Sequence, residues 1–123
     1  MNDATLADRH ILVVEDEYMI ADEFCTELEE AGAVVVGPAA TIEDALTLIT
    51  SRPALHGGVL DINLRGEKSF VAADLLMERG IPFVFTTGYD ASSIPSRFDH
   101  IARCEKPVTT AKVVRALGRA MRP

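Results

Sequence analysis

Polar side chains that could do chemistry stand at the ends of apolar runs too short to be helices. They are Glu15 and Asp16 after Ile11–Val14, Asp61 within Val59–Ile62, Thr87 after Phe83–Thr86, and Lys106 shortly after Ile101–Cys104. Runs of this length, alternating with helical patterns, are typical of buried parallel strands, whose carboxyl ends line the ligand crevice of an open α/β sheet. We therefore expect three carboxylates, a hydroxyl and an ammonium to converge.

Three carboxylates this close repel one another, and without compensation one of them tends to stay protonated. A divalent cation stabilises all three as carboxylates, and Mg²⁺ prefers oxygen ligands together with a substrate phosphate. The alternative is that Glu15 and Asp16 only begin the following helix, where acids favour the positive end of its dipole. That alternative does not explain Asp61, an ionisable group in an apolar strand that needs partners there.

The elements that must position these groups are five strands alternating with helices. The strands are predicted at 11–14, 33–36, 59–62, 83–86 and 101–104. Such alternation implies βαβ units, a parallel sheet and right-handed crossovers. We expect a doubly wound sheet of order 2-1-3-4-5. The topological switch then lies between the first and third strands, so Glu15 and Asp16 should face Asp61.

Helices are predicted from apolar stripes and end signals. The first spans Tyr18–Ala31 and ends at Gly32, the second has Thr41 as its cap, the third ends at Gly80, and the last has Thr109 as its cap. Between Gly88 and Arg103 the helical pattern weakens, and Pro95 interrupts it. The inward-facing residues are predicted to be Ile20, Ala21, Phe24, Leu28 and Ala31; Ile42, Ala45, Leu46 and Ile49; Val71, Ala72, Leu75 and Leu76; and Val113, Val114, Leu117, Ala120 and Met121.

Length and charge restrict the class of protein. The 123 residues fit one domain, predicted at 10–123 after a flexible segment 1–9, and we expect no further output module, so that the protein acts by contact. A net charge of −7 argues against nucleic-acid binding. Residues 1–10 are too polar for a signal sequence, and no apolar run approaches the roughly 18 residues of a membrane span, so a cytoplasmic protein without a membrane partner is expected. Cys25 and Cys104 are predicted to be plain buried thiols.

The set Glu15-Asp16, Asp61, Thr87-Gly88 and Lys106-Pro107, in this order, closely resembles the receiver domain of two-component response regulators. The resemblance extends from about His10 to Met121. It implies a flavodoxin-like fold in which Asp61 takes a phosphoryl group from a histidine kinase, so the domain is a signalling acceptor and not a turnover enzyme.

The resemblance also assigns roles to the other groups. Asp16 and Asp61 would ligate Mg²⁺ directly, Glu15 largely through water, and Asn63 through its carbonyl oxygen. Lys106 and Thr87 would hold phosphoryl oxygens, and the peptide between Lys106 and Pro107 would be cis. The implied partners are a sensor histidine kinase or a histidine phosphotransfer protein and an unknown downstream protein, with the chain a monomer or weak dimer.

Two features depart from the common receiver pattern. Most receivers carry Tyr or Phe three residues before the lysine, where this chain has Arg103, and an aromatic occurs instead at Tyr89. The run Phe85-Thr86-Thr87-Gly88-Tyr89 is similar to the atypical FAT GUY subgroup, which has an irregular fourth helix region. Tyr89 could shield the acyl phosphate from water or could pack against the loop. We expect the switch to involve Thr87, Tyr89 and Arg103, with the signal carried by segment 88–100.

Two other functions share part of this pattern. Small Mg²⁺-dependent phosphatases and phosphotransferases of similar topology also use an aspartate nucleophile. It usually stands at the end of the first strand with a second aspartate two residues later, whereas here that strand ends Glu15-Asp16-Glu17. A pseudo-receiver that serves only as an interaction module is the other alternative, and the presence of all the reactive groups speaks against it.

Overall fold

The computed structural model describes residues 6–88, 94–107 and 109–122. The strands in these ranges are β1 His10–Val14, β2 Val34–Ala39, β3 Leu55–Asp61, β4 Asn63–Leu64, β5 Glu67–Lys68, β6 Phe83–Thr87 and β7 Arg103–Glu105. The α-helices are α1 Tyr18–Glu30, α2 Ile42–Ser51, α3 Phe70–Glu78 and α4 Thr110–Met121, and a 3₁₀ turn spans Ser96–Phe98.

The central sheet has five parallel strands in the order β2-β1-β3-β6-β7. Strands β4 and β5 form a separate antiparallel hairpin between β3 and α3. With that hairpin left out, the order is the predicted 2-1-3-4-5. The predicted doubly wound α/β fold is therefore confirmed, and the hairpin is an addition that the apolar pattern did not indicate.

Alternate residues of the inner strands β1, β3 and β6 pack into two separate cores, which explains why these strands contain continuous apolar runs. Leu12, Leu60 and Phe85 belong to the core under α2 and α3. Val13 and Val84 belong to the core under α1 and α4. Helices therefore cover both faces of the sheet.

The predicted helix ends are found where the sequence places them. Thr41 Oγ1 accepts a hydrogen bond from the Asp44 N–H at 3.1 Å, and Thr109 Oγ1 accepts one from the Lys112 N–H at 3.3 Å. Gly32, directly after α1, has a φ of 92°, a conformation that favours glycine. Local signals thus set the entry and exit of these helices.

All five strands differ from the prediction by at least one residue, and three of the differences are larger. β2 continues through Gly37-Pro38 to Ala39, which an edge strand tolerates because proline lacks only a donor. β3 begins earlier, at Leu55. β7 begins at Arg103 and not at Ile101, because the Ile101 N–H closes a turn on the Phe98 oxygen.

Two residues predicted to face inward do not. Val71 is half exposed and Ala120 is exposed, while Ala73 and Ala116 are buried. Ala73 and Ala116 each belong to a buried core cluster, so the centre of the buried face of each helix is rotated from the predicted stripe. The helical assignment itself is unaffected.

Segment 94–100 contains only the short turn Ser96–Phe98, as expected for an irregular fourth helix region interrupted at Pro95. Tyr89 lies outside the described residues. At the other end, Leu6 is completely buried and the Asp8 N–H donates to the Gly32 oxygen at 2.9 Å. Packing therefore begins before the predicted boundary at residue 10. Among the described helices, none is long and apolar enough to cross a membrane.

Candidate functional site

Three acidic side chains meet at the carboxyl end of the sheet, as the strand order predicts. Val14 and Leu60 are register partners in β1 and β3, so Glu15 lies beside Asp61 at the ends of these strands. Oxygen atoms of Glu15, Asp16 and Asp61 lie within 4.8 Å of one another. Glu15 is only 2% exposed and Asp61 only 4%, so two of the three carboxylates are almost removed from water.

Lys106 reaches over the end of β6 to this cluster. Its Nζ lies 3.0 Å from Asp61 Oδ2 and 3.1 Å from Glu15 Oε1. The Lys106 N–H donates to the Thr87 oxygen at 2.7 Å, and the Lys106–Pro107 peptide is cis, as the resemblance implied. Burial by itself lowers the pKa of Lys106, but the hydrogen bond and charge of Asp61, and then those of Glu15, outweigh it and raise the pKa. The ammonium is thus firmly charged.

Glu15 has a raised pKa within this cluster. Burial raises its pKa to about 7, the charge of Asp61 adds to the rise, and the Glu17 N–H and Lys106 oppose it. This direction agrees with the expectation that one carboxyl of an uncompensated cluster tends to hold a proton. One ammonium does not fully balance the charge of the three carboxylates.

This donor set fits Mg²⁺. It consists of hard carboxylate oxygens that are mutually close, and one of them has a raised pKa that a divalent cation would lower again. Glu15, Asp16 and Asp61 could therefore hold the ion. The role of the Asn63 carbonyl oxygen remains a prediction; Asn63 does line the same cleft.

The hairpin β4–β5 closes the cleft from one side. Its Arg65 N–H donates to Asp16 Oδ2 at 3.0 Å, and its Asn63 N–H donates to Asp61 Oδ1 at 3.3 Å. Asn63 Oδ1 in turn accepts from the Gly66 N–H at 3.0 Å. These main-chain contacts to Asp16 and Asp61 depend on the hairpin, and sequence reasoning missed them.

The cleft itself has a volume of about 350 Å³ and is polar. Among the residues lining it are Asp16, Asp61, Asn63 and Thr87, which joins four of the predicted site residues in one space. Thr87 is the last residue of β6 and is 4% exposed. Asp61 and Thr87 thus face the same small polar space, and the Asp61 carboxylate is also in contact with the Lys106 ammonium.

A larger cavity of about 720 Å³ lies at the opposite end of the sheet, where Ile81, Phe83 and Ile101 line it. None of the predicted site residues within the described part of the chain borders it. Size alone would point to this cavity, but the convergent charged groups lie in the smaller cleft. We therefore assign the candidate site to the cleft.

Arg103 lies away from the cleft. It is exposed at the start of the edge strand β7, and its Nη2 donates to the Phe98 oxygen at 2.9 Å. Its register partner is Phe85, two residues before Thr87. Of the three predicted switch residues, the structure therefore places Thr87 in the cleft and Arg103 beside the irregular segment, while Tyr89 is not described.

Comparison with solved structures gives close matches over nearly the whole chain. SdrG from Sphingomonas melonis Fr1, solved in solution, is 38% identical with a TM-score of 0.75, over 92% of this chain and 97% of that one. The BeF3-activated conformation of SdrG from Pseudomonas melonis Fr1 is 39% identical with a TM-score of 0.71, over 89% and 96% of the two chains.

A third match supports the fold. The response regulator receiver protein from Sinorhizobium medicae WSM419 is 24% identical with a TM-score of 0.79, over 93% of this chain and 94% of that one. A scan against family models gives no match, and a search of curated proteins gives none either. SdrG is itself a response regulator receiver domain and is matched along almost its entire length. The chain therefore belongs to the response regulator receiver domains of two-component signalling.

Proposed function

We propose that the protein is a phosphoryl acceptor in a two-component phosphorelay, with Asp61 as the acceptor. The observation that carries the proposal is the contact of Lys106 Nζ with Asp61 Oδ2 at 3.0 Å, in a cleft that Thr87 also lines. It combines a nucleophilic carboxylate with a cation beside a cleft that is large enough for a phosphoryl group. Phosphoryl transfer needs mainly such positioning and charge stabilisation from the protein.

In the proposed reaction an oxygen of the Asp61 carboxylate attacks the phosphorus of a phosphohistidine. The new oxygen–phosphorus bond forms as the phosphorus–nitrogen bond breaks, and the imidazole leaves with the bonding electron pair. Lys106 stabilises negative charge on one phosphoryl oxygen, and Thr87 donates its hydroxyl to another. Glu15, Asp16 and Asp61 would hold Mg²⁺, which would neutralise further charge on the phosphoryl oxygens.

The proposed donor is a sensor histidine kinase or a histidine phosphotransfer protein, the kinds of protein with which receiver domains generally interact. The modified domain then signals by contact with a downstream protein or drains phosphate from the relay. SdrG is described in a BeF3-activated conformation, and trifluoroberyllate is a tetrahedral mimic of a phosphoryl group. We infer that this chain responds to the same mimic. Its two free thiols support a reducing compartment, and we place the protein in the cytoplasm.

Intact-mass spectrometry tests the proposal. The protein is incubated with phosphoramidate and Mg²⁺, and we expect one phosphoryl adduct that is absent from Asp61→Asn and greatly reduced when EDTA removes the metal. Asp74→Asn is a matched control, since Asp74 is a partly exposed aspartate on α3 that pairs with Arg97 away from the cleft. An adduct retained by Asp61→Asn would refute the assignment. Continuous release of phosphate without an accumulated adduct would favour the phosphatase alternative.

A further inference from the structure

The hydroxyl of Ser69 contacts the main chain of the phosphoryl acceptor. Ser69 lies between the hairpin and α3, is completely buried, and donates from Oγ to the Asp61 carbonyl oxygen at 2.7 Å. This is the usual distance for a well-formed hydroxyl hydrogen bond. The carbonyl that it satisfies stands at the end of β3, where the strand ladder stops.

This contact replaces the usual role of a serine at this position. Ser69 is the N-cap residue of α3, a site where serine normally accepts a hydrogen bond from a helix N–H. Within the described part of the chain, its side chain makes no capping bond. Its hydroxyl instead points back to Asp61, so the group that could stabilise α3 stabilises the end of β3.

Other main-chain bonds fix the peptide that joins Asp61 to Ile62. The Ile62 N–H donates to the Thr86 oxygen at 3.0 Å, and in the next peptide the Ile62 oxygen accepts from the Ser69 N–H at 2.8 Å. The Ser69 hydroxyl holds the remaining polar atom of this peptide, the Asp61 oxygen. Beyond it, the Asn63 N–H donates to Asp61 Oδ1 at 3.3 Å.

From this geometry we propose that Ser69 is a positioning residue for Asp61. Its hydroxyl fixes the orientation of the Asp61–Ile62 peptide and thereby the direction in which the chain continues to Asn63. Without it, the Asp61 oxygen loses its hydrogen bond, the peptide is held through its N–H alone, and the Asn63 main chain can shift relative to the Asp61 carboxylate. Displacements of about 1 Å in a reacting site can cost about a hundredfold in rate. The inference rests on the proposed function of Asp61.

The test compares Ser69→Ala, which deletes the hydroxyl, with Ser69→Cys, which keeps a weak donor. Ile49→Val is the control, because it perturbs the fully buried core on α2 away from the cleft. Phosphorylation by phosphoramidate is measured at saturating Mg²⁺, at a temperature where circular dichroism shows each variant folded. Mg²⁺ affinity is measured by titration. Amide exchange at Ile62 and Asn63 is followed in metal-free protein.

We expect Ser69→Ala to slow phosphorylation by about tenfold or more, to weaken Mg²⁺ binding severalfold, and to accelerate exchange at Ile62 and Asn63. Ser69→Cys should fall between Ser69→Ala and wild type, and Ile49→Val should stay within about twofold of wild type in all three measurements. A merely structural role would lower the melting temperature without moving these local readouts.

A folded Ser69→Ala protein with wild-type rate, Mg²⁺ affinity and amide exchange overturns the inference. If Ser69→Ala does not fold, Ser69→Cys decides the question by the same three measurements. If wild-type protein forms no adduct, the proposed function fails, and the exchange measurement in metal-free protein still supports or overturns the positioning of the Asp61–Ile62 peptide by Ser69.

Discussion

The guanidinium of Arg103 donates a hydrogen bond to the Phe98 carbonyl oxygen at 2.9 Å and so joins β7 to the 3₁₀ turn. The Phe98 ring is completely buried, stacked on Phe70 at a centroid distance of 5.6 Å and edge-on to Phe85 at 5.4 Å. Phe85 lies two residues before Thr87 in the same strand. Arg103 therefore holds the turn from its outer side, at the position where most receivers carry an aromatic switch residue.

Arg103→Gln should loosen segment 94–100 and leave the cleft unchanged. A hydrogen bond of this kind contributes about 0.5–1.5 kcal/mol, so amide exchange at Phe98 and Ile101 should rise by about two- to tenfold. Phosphorylation of Asp61 by phosphoramidate should stay within about twofold of wild type. Arg115→Gln, an exposed arginine on α4, is the control. Unchanged exchange in Arg103→Gln would show that the bond does not hold the turn.

The switch itself should appear as a change in order of segment 94–100 when the site is filled. Hydrogen exchange is compared in Mg²⁺ with and without trifluoroberyllate. We expect protection at Phe98 and Ile101 to differ between the two states, because contact of Thr87 with the mimic acts on β6 beside this segment. Buried amides of α1 should be unaffected. Identical protection of the segment in both states would contradict a switch located there.

Thr87→Ala should separate modification from response. The variant keeps Asp61 and Lys106, so it should still form the phosphoryl adduct, but exchange in segment 94–100 should no longer respond to trifluoroberyllate. Thr86→Val is a useful control, because Thr86 is its buried neighbour in β6 and the substitution keeps the side-chain shape. A full exchange response in Thr87→Ala would remove Thr87 from the switch.

Lys106→Met should impair phosphorylation and destabilise the metal-free protein. The substitution retains most of the stem but leaves Glu15 and Asp61 buried without their ammonium. We expect a loss of about 1–3 kcal/mol in the free energy of unfolding at pH 7.5, measured by urea denaturation. Protonation of Glu15 limits that loss. Added Mg²⁺ should recover part of the stability, whereas recovery of normal phosphorylation would contradict the proposed role of Lys106.

The stability conferred by Mg²⁺ should increase with pH. Folding raises the pKa of Glu15 from its ordinary 4.5 to about 7, so the metal-free protein loses stability as pH rises through this window. Mg²⁺ favours the ionised carboxylate and offsets that loss. The gain in melting temperature on adding Mg²⁺ should therefore be larger at pH 8 than at pH 5.5. Glu15→Gln should flatten this dependence; an equally steep dependence in that variant would exclude Glu15 as its origin.

The sequence alone determined the strand order and the convergence of Glu15, Asp16, Asp61 and Lys106. Both follow from local signals, because short apolar runs mark buried parallel strands and the ends of such strands meet at one edge. Helix caps such as Thr41 could also be predicted from the sequence, since capping involves residues only three positions apart. These features need no knowledge of distant contacts.

Only the tertiary structure decided which distant groups satisfy one another. Ser69 reaches the Asp61 carbonyl, Arg103 reaches the Phe98 carbonyl, and Lys106 contacts Glu15 as well as Asp61. A side-chain donor can satisfy any acceptor within reach, so its partner depends on how loops and helices pack. The inward faces of Val71 and Ala120 were misplaced for the same reason, because the rotation of a helix on a sheet is set by packing against the sheet and not by its own periodicity.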